Sequence, residues 1–408
     1  MPPGHKLVST IWSSHSQISD FEKCPRLVYW RYHHGGTGLE GYGIQLEAEC
    51  GTAIHTGIER LLQGDDVTVA VLAARNHVAG TIASDPTPTH LLTDNRRFEY
   101  EEALPLVEAC VRGWALARLP RIVNAGKCLS IEREHPIKFT LEGGQVVGLQ
   151  TRPDIVWQRT SDGAVFIRNI KTCKVVDDKF REQWKIDMQT LSEPLAVEQT
   201  GVQVSGVIVE GVAKGKKLDF PASALPDLAG KYYHNNPLIY GWHREAEPPL
   251  TRESWEHRYE WTDLYGQHRR LGKGYRKVPV WRAYPGGIAA WINHVWSEDA
   301  SAFDDLFVEL EPILRSDYEI ERWRQQTLPQ IYDRAVWAKI LLPGGHDPGT
   351  EDQLLNTYFP MHTSNGNCIW PRRCTYWSLC HGTAAADPLG SGEFQSRVPH
   401  HPVPVEEP

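Results

Sequence analysis

The spacing of apolar residues changes along the chain, and the first stretch has the spacing of helices. Residues 45–63 carry apolar side chains at helical intervals, with Ile54 and Ile58 on one face, so we expect an amphipathic helix there. Residues 98–118 repeat the pattern, and Pro105 within them predicts a bend or a fresh start. The amino-terminal third should therefore be mainly helical.

A different pattern follows, in which short apolar or alternating runs are separated by glycine-containing turns. Residues 131–140, 146–157 and 164–172 predict three consecutive strands of a meander. Residues 179–199 return to helical spacing, and residues 202–212 predict another strand. The order of helices, three strands, helix and strand predicts an α/β fold with a mixed sheet.

The two ends of the chain have their own signals. Ser19 and Glu22 have the spacing of a capping box, which predicts a helix start. Residues 286–342 look helical, and residues 383–408 are rich in Pro, Gly and Ser. That composition is typical of a disordered tail.

Composition excludes several classes of protein. The 408 residues are 41% hydrophobic and 23% charged, which excludes wholesale disorder and fibrous architecture. The net charge of −8 excludes a uniformly basic nucleic-acid coat, although it leaves room for a local basic groove. No apolar run approaches the roughly 20 residues of a membrane helix, and the first residues lack the apolar core of a secretory signal. We expect a soluble protein of the cytoplasm.

One stretch is locally basic. Between His268 and Arg282 no acid occurs, and Tyr275 and Trp281 interrupt the basic residues. Such a stretch could follow a phosphate backbone and stack bases, or it could be an ordinary solvated loop. The candidate DNA-binding residues are Arg269, Arg270, Lys273, Arg276 and Lys277.

Seven of the eight cysteines fall into two groups. In a reducing compartment, clustered cysteines indicate a metal rather than disulfides. Three stand at equal intervals with five residues between neighbours, and buried thiols or zinc remain alternatives, although zinc ligands usually lie two to four residues apart. These three are Cys368, Cys374 and Cys380, while Cys50, Cys110, Cys128 and Cys173 are expected to be small buried hydrophobes.

Two neighbouring strands carry candidate chemistry. Asp154 follows Pro153, and Lys171 lies 17 residues later on the hairpin partner. An acid there can hold a divalent cation that lowers the pKa of a bound water, and a lysine beside it can stabilise developing negative charge. Asn169 shares a strand face with Lys171, and the Ile170 carbonyl can point at the metal. Each signal alone is common, so the arrangement needs support from elsewhere.

Six segments, in order along the chain, resemble the PD-(D/E)XK nuclease superfamily in its RecB-like exonuclease branch. The resemblance is closest to iron–sulfur members such as CRISPR-adaptation nucleases, AddB-type helicase-nucleases and their phage relatives. The segments include a Cys-Pro-Arg element, GTAIH, RPDIVW, a strand NIKT, a glutamine helix and a cysteine-rich element. They span residues 16–26, 51–55, 152–157, 169–172, 187–189 and 359–380.

The resemblance implies an α/β, restriction-endonuclease-like core in which helices flank a mixed central sheet. The nuclease-like domain would occupy residues 1–382, with its core at about 12–215. A largely helical insertion would follow at about 216–345. An iron–sulfur closing element would lie at about 355–382, before the tail at 383–408.

The resemblance also assigns roles at the metal site. His55 and Asp154 would bind Mg²⁺ or Mn²⁺, aided by Asn169 and the Ile170 carbonyl. Lys171 would position the attacking water, and Gln189 would support the site as a further catalytic residue.

In the same family, a cysteine near the amino terminus joins the last three in a [4Fe-4S] cluster. Four thiolates are a common ligand set for such clusters. Here the set would be Cys24, Cys368, Cys374 and Cys380.

The chain departs from the family pattern at Asn169, where the family has a second acid. An amide oxygen can coordinate a hard cation but adds no negative charge, so metal affinity and turnover should fall. A carboxylate on the next helix could compensate, and Glu182, Asp187 and Glu193 are candidates.

Three functions therefore remain open. The first is a Mg²⁺- or Mn²⁺-dependent DNA exonuclease that acts on single strands or ends in recombination, repair or phage DNA processing. The second is a silenced, nuclease-like DNA-binding subunit with a protein partner. The third is an unrelated zinc-stabilised scaffold protein.

Overall fold

A mixed α/β architecture, as expected from the sequence, emerges in the computed structural model. The structure describes residues 11–41, 44–87, 89–141, 144, 146–220, 227–244, 275–341, 348–361, 368, 374–382 and 387–397. Mixed sheets lie among helices, an arrangement consistent with a restriction-endonuclease-like fold. None of the described helices is long and apolar enough to cross a membrane.

The helices lie in three groups along the chain. The amino-terminal group is α1 (His15–Lys23), α2 (Pro25–Val28), a π-helical turn (Tyr29–His33), α3 (Leu46–Leu62), α4 (Val67–Ala83), α5 (Asp94–Ala117) and α6 (Leu119–Ala125). The middle pair is α7 (Asp178–Trp184) and α8 (Gln189–Glu198). The last group is α9 (Val280–Ala283), α10 (Gly287–Glu298), α11 (Asp317–Leu341), α12 (Pro348–Tyr358) and α13 (Trp377–Cys380). Single 3-10 turns occur at His34–Gly36, Thr89–Leu91 and Ala300–Phe303.

The strands are mostly short. They are β1 (Ile11–Ser14), β2 (Leu39–Gly41), β3 (Gly126–Ile131), β4 (His135–Thr140), β5 (Val146–Thr151), β6 (Ile155–Arg159), β7 (Val165–Cys173), β8 (Gly206–Ala213), β9 (Lys217–Asp219), β10 (Tyr232–His234), β11 (Tyr240–Arg244), β12 (Tyr275–Pro279), β13 (Phe307–Glu309) and β14 (Phe394–Ser396).

The central sheet has five strands in the order β13-β8-β7-β6-β3. Only β7 and β8 are parallel, and α7 and α8 form the crossover that such a pair requires. Side chains alternate along β7, so Phe166 packs towards the α3 and α5 side while Ile167 packs towards α7 and α8. The sheet is therefore buried on both faces.

The predicted meander is wrong in its pairing. The stretch expected as one strand at 146–157 is two strands, β5 and β6, and they belong to different sheets. Pro153 lies at the break, and proline cannot donate a ladder hydrogen bond. The chain therefore leaves the small sheet β1-β5-β4 and enters the central sheet next to Asp154.

The amino-terminal helix starts earlier than expected. The capping box is formed by Ser14 and Gln17, rather than Ser19 and Glu22, and α1 begins at His15. The Ser14 Oγ accepts the Gln17 backbone N–H at 3.4 Å, and the Gln17 side chain accepts the Ser14 N–H at 3.3 Å. Pro105, in contrast, lies within the single helix α5 without ending it.

Two expectations about the carboxy-terminal half need correction. The region 216–345 contains α10 and α11, but it also contains β9 to β13, and β13 extends the central sheet beside β8. Within the tail expected to be disordered, β14 pairs with β2. Phe394 explains the order, because its ring is buried against Tyr376.

Candidate active site

A cleft of about 420 Å³ opens where β3 ends, β6 begins and the second half of β7 passes both. Helices α3 and α8, the end of β5 and the start of α1 complete its wall. The structure brings four sequence-predicted site residues into this wall, namely His55, Asp154, Lys171 and Gln189.

Three side chains of the cleft could share a metal ion. The potential ligand atoms of His55, Glu132 and Asp154 all lie within 4.8 Å of one another. The His55 Nδ1 is 3.8 Å from the Asp154 Oδ2. Burial lowers the pKa of His55, against the opposing effect of Asp154, which favours the neutral imidazole that ligates metals.

Backbone contacts hold Asp154 in place. Its Oδ2 accepts the Ile170 N–H at 2.6 Å, and its own N–H donates to the Asn169 Oδ1 at 3.4 Å. The Asp154 carbonyl accepts the Glu132 N–H at 2.9 Å. The carboxylate is therefore oriented by β7 while β3 fixes the backbone beside it.

Glu132 was not identified from the sequence. It follows β3, and the pairing of Ile131 with Ile155 carries it next to Asp154. Its φ is 48°, a left-handed conformation that side chains other than glycine rarely adopt. Burial and the Asp154 charge raise the pKa of Glu132, although the Arg152 Nε lies 3.0 Å from its carboxylate.

Asn169 lies behind the cleft wall rather than in it. The residue is 1% exposed, and its amide links Asp154 to Glu193, with the Nδ2 donating to the Glu193 Oε2 at 2.6 Å. The amide oxygen thus accepts the Asp154 backbone N–H, and the amide nitrogen donates to the Glu193 carboxylate. Asn169 therefore connects the backbone at Asp154 to the carboxylate of Glu193.

Three acids could replace the carboxylate that position 169 lacks. Of these, Glu193 lines the cleft, whereas Glu182 and Asp187 do not. Gln189 donates to the Glu193 Oε1 at 2.5 Å, and burial raises the pKa of Glu193 to about 6, against the opposing charge of Lys171. Glu182 is exposed beside Lys185. Asp187 contacts His15 instead.

Lys171 lines the cleft beside α7, and its Nζ lies 5.5 Å from the centre of the Trp184 ring.

Gly51 shows how closely α3 approaches β7. A Cβ added at Gly51 would lie 2.8 Å from the Thr172 Oγ1, so only glycine permits this helix to sit against the strand. His55 follows Gly51 by one helical turn, so this close packing brings the His55 side chain to the site.

Residues 13–260, more than half of the chain, match the family model of the PD-(D/E)XK nuclease superfamily. The chain belongs to this superfamily. No curated protein shows significant similarity to it. Membership implies a nuclease with DNA as its substrate, and PD-(D/E)XK nucleases use divalent metals, for which His55, Glu132 and Asp154 form a possible site.

Three of the five candidate DNA-binding residues of this PD-(D/E)XK protein lie outside the described residues, namely Arg269, Arg270 and Lys273. Arg276 lies in β12. The position of Lys277 does not fit the predicted DNA contact. Lys277 is only 5% exposed, and its Nζ donates to the Asn235 Oδ1 at 2.6 Å. Burial lowers the pKa of Lys277 to about 7.

The cysteine-rich element packs against the amino-terminal helices. The Arg26 side chain donates to the Phe359 carbonyl at 2.8 Å and to the Asn356 Oδ1 at 2.7 Å. Among the described residues, the His55 group alone has ligand atoms close enough to share a metal. The structure does not bring the four candidate cysteines Cys24, Cys368, Cys374 and Cys380 to such a spacing.

Proposed function

We propose that this PD-(D/E)XK protein is a metal-dependent DNA exonuclease of the RecB-like branch. The observation that carries the proposal is the convergence of His55, Asp154, Lys171 and Glu193 on one cleft. These groups supply a neutral imidazole, two carboxylates and a cation, which together suit phosphodiester hydrolysis.

The metal would be Mg²⁺ or Mn²⁺, held by His55 and Asp154. When bound, the ion polarises the phosphate and lowers the pKa of a water molecule. The Ile170 N–H points at Asp154, and the N–H and carbonyl of one strand residue face the same side. This supports the Ile170 carbonyl as a further oxygen ligand, while Gln189 acts indirectly by holding Glu193.

Glu193 provides the second carboxylate that Asn169 lacks. The Asn169 and Gln189 amides each donate to one of its oxygens, which orients the carboxylate towards the cleft. Lys171 lowers the pKa of Glu193 against the effect of burial, so the charges are complementary. Lys171 then positions the attacking water and stabilises negative charge on the phosphate.

An iron–sulfur cluster held by Cys24, Cys368, Cys374 and Cys380 belongs to the same proposal. Support comes from the packing of the two cysteine-bearing segments, since Arg26, close to Cys24, donates to the Phe359 carbonyl and the Asn356 Oδ1. Anaerobically purified protein should be brown, whereas colourless protein with stoichiometric zinc would contradict the assignment.

The biological setting is proposed on the same resemblance. The enzyme would act on single strands or ends of DNA in the cytoplasm, during recombination, repair or phage DNA processing. A protein partner would deliver it to its substrate.

The test is cleavage of end-labelled linear DNA, single- and double-stranded, with Mg²⁺ or Mn²⁺. Closed circular DNA of the same sequence should resist, because an exonuclease needs an end. Asp154→Asn should abolish cleavage, whereas Asp162→Asn, in an exposed turn beside Arg159, should leave it unchanged. Retained DNA binding without any metal-dependent product would favour the silenced subunit instead.

A further inference from the structure

Part of the cleft wall has no task in the reaction proposed above. It is formed by Ser14, His15 and Ser16 at the start of α1, together with Ser192 of α8. None of these residues belongs to the metal-ligand group. We call this set of residues the α1 pocket.

The start of α1 presents backbone donors to the α1 pocket. The helix is nine residues long, and its capping box uses the Gln17 N–H. The N–H groups of His15 and Ser16, in the first turn, have no acceptor within a helix. Together with the helix dipole, they favour a negatively charged group at this position.

Ser192 is a second and independent sign of a ligand. The residue is 1% exposed, and its Oγ has no hydrogen-bond partner among the described residues. A buried hydroxyl without a partner costs about 1–3 kcal/mol, so such groups need an explanation. Because Ser192 lines the cleft, a bound oxygen atom would accept its hydrogen bond.

His15 adds an imidazole nitrogen to the α1 pocket. Its Nε2 lies 3.1 Å from the Asp187 Oδ1, which leaves Nδ1 as the nitrogen available to a ligand. The Asp187 carboxylate also accepts the Gln189 N–H at 2.8 Å. The pair fixes the imidazole ring at the mouth of the α1 pocket.

We propose that the α1 pocket binds a phosphate group of the DNA strand next to the scissile bond. The inference rests on the proposed function, because it places a second phosphate of the same substrate in the same cleft. The phosphate is either the terminal one or an internal one, and both offer the same oxygen acceptors. His15, Ser192 and the α1 N–H groups are positioning residues that set the strand's register.

The test is a scan of single-stranded oligonucleotides in which one phosphate at a time is a neutral methylphosphonate. Binding is measured with Ca²⁺, so that it does not depend on cleavage. In the wild-type protein, one position should weaken binding by about ten-fold, as expected for the loss of a charge-assisted hydrogen bond. If replacement at the end of the strand weakens binding, the α1 pocket binds a terminal phosphate. If replacement at an inner position weakens binding, it binds an internal phosphate.

His15→Gln and, independently, Ser192→Ala should remove this one sensitivity and leave the others. His77→Gln is the matched control, because His77 pairs with Glu49 at 2.9 Å outside the cleft. If folded His15→Gln and Ser192→Ala proteins keep the full wild-type pattern, the α1 pocket does not bind phosphate. Asp154→Asn should lose cleavage but keep the pattern, so failure of the nuclease proposal would be seen separately.

Discussion

The pairing of Asn169 with Glu193 is the residue-scale feature that most affects the chemistry. Both side chains are buried, and the amide donates directly to the carboxylate at 2.6 Å. The carboxylate expected on β7 is therefore carried by α8 instead. A carboxylate at position 169 would therefore face a second carboxylate, and two buried acids at that distance share a proton.

This geometry predicts the outcome of exchanging the two groups. Glu193→Gln should reduce cleavage by about 100-fold, because the site loses a charge beside the metal. Asn169→Asp alone should also reduce it near neutral pH, owing to repulsion by Glu193. The double variant Asn169→Asp/Glu193→Gln should recover much of the activity in the same gel assay. A large gain from Asn169→Asp alone would instead show that asparagine silences the site.

We expect replacement of Glu132 to stabilise the folded protein and to weaken metal binding. Its φ of 48° and its proximity to Asp154 are both unfavourable. Glu132→Gly should raise the free energy of unfolding by about 1 kcal/mol, because glycine tolerates this backbone conformation. Calorimetric titration should show metal affinity lowered by about ten-fold. Glu134→Gly, on the exposed neighbour of the same turn, should not stabilise the protein.

The contrast between Asp154 and Glu132 shows what sequence could predict at this scale. Asp154 and Lys171 lie on one hairpin, so their proximity follows from local spacing. Glu132 reaches them only because β3 pairs with β6 across the intervening hairpin of β4 and β5. The contact is non-local, and no periodicity in the chain encodes it.

Between elements, a buried ionic group links α3, α5 and β10. The His234 ring lies 2.7 Å from Glu102 and 2.9 Å from Glu47, through its two nitrogens. The Lys214 Nζ donates to the Glu47 carbonyl at 2.7 Å. Although burial lowers the pKa of His234, the two carboxylates raise it to about 9.

This shift predicts a pH-dependent stability. The folded-state pKa lies above the unfolded value of about 6.5, so the contribution is complete below that pH and is lost as the pH rises through about 9. Urea unfolding at pH 6 and pH 10 should show that wild-type protein loses about 2 kcal/mol more than His234→Gln. His77→Gln should follow the wild type, and an equal loss in His234→Gln would contradict the assignment.

Helices were easier to predict than strand partners, for a physical reason. The α3 pattern at 45–63 agrees with the helix Leu46–Leu62 because a helix forms from neighbours in sequence. Strand spacing gives alternation but no partner, so the split between β5 and β6 escaped prediction. The single helix expected at 179–199 also divides, and Arg315 holds the corner by donating to the Asp187 carbonyl at 3.4 Å.

For the whole molecule, residues beyond the family match complete the fold. The match ends at residue 260, yet β13 adds an edge strand to the central sheet and α10 packs on α5. Near the amino terminus, α12 and the residue Phe359 that follows it contact α2 through Arg26. Chain that follows the family match thus packs on the matched residues at several places.

The tail strand β14 should contribute to the stability of the folded protein through Phe394. Phe394 is 2% exposed and stacks on Tyr376 at 5.7 Å, in the cluster that also contains Tyr29, Leu379 and Phe359. Phe394→Ala should lower the free energy of unfolding by about 3 kcal/mol, because it empties a buried ring site. Leu389→Ala, in the same tail but 52% exposed, should change it little. Equal denaturation midpoints for Phe394→Ala and Leu389→Ala would mean that β14 contributes nothing to stability, whereas the expected difference makes the tail part of the folded domain.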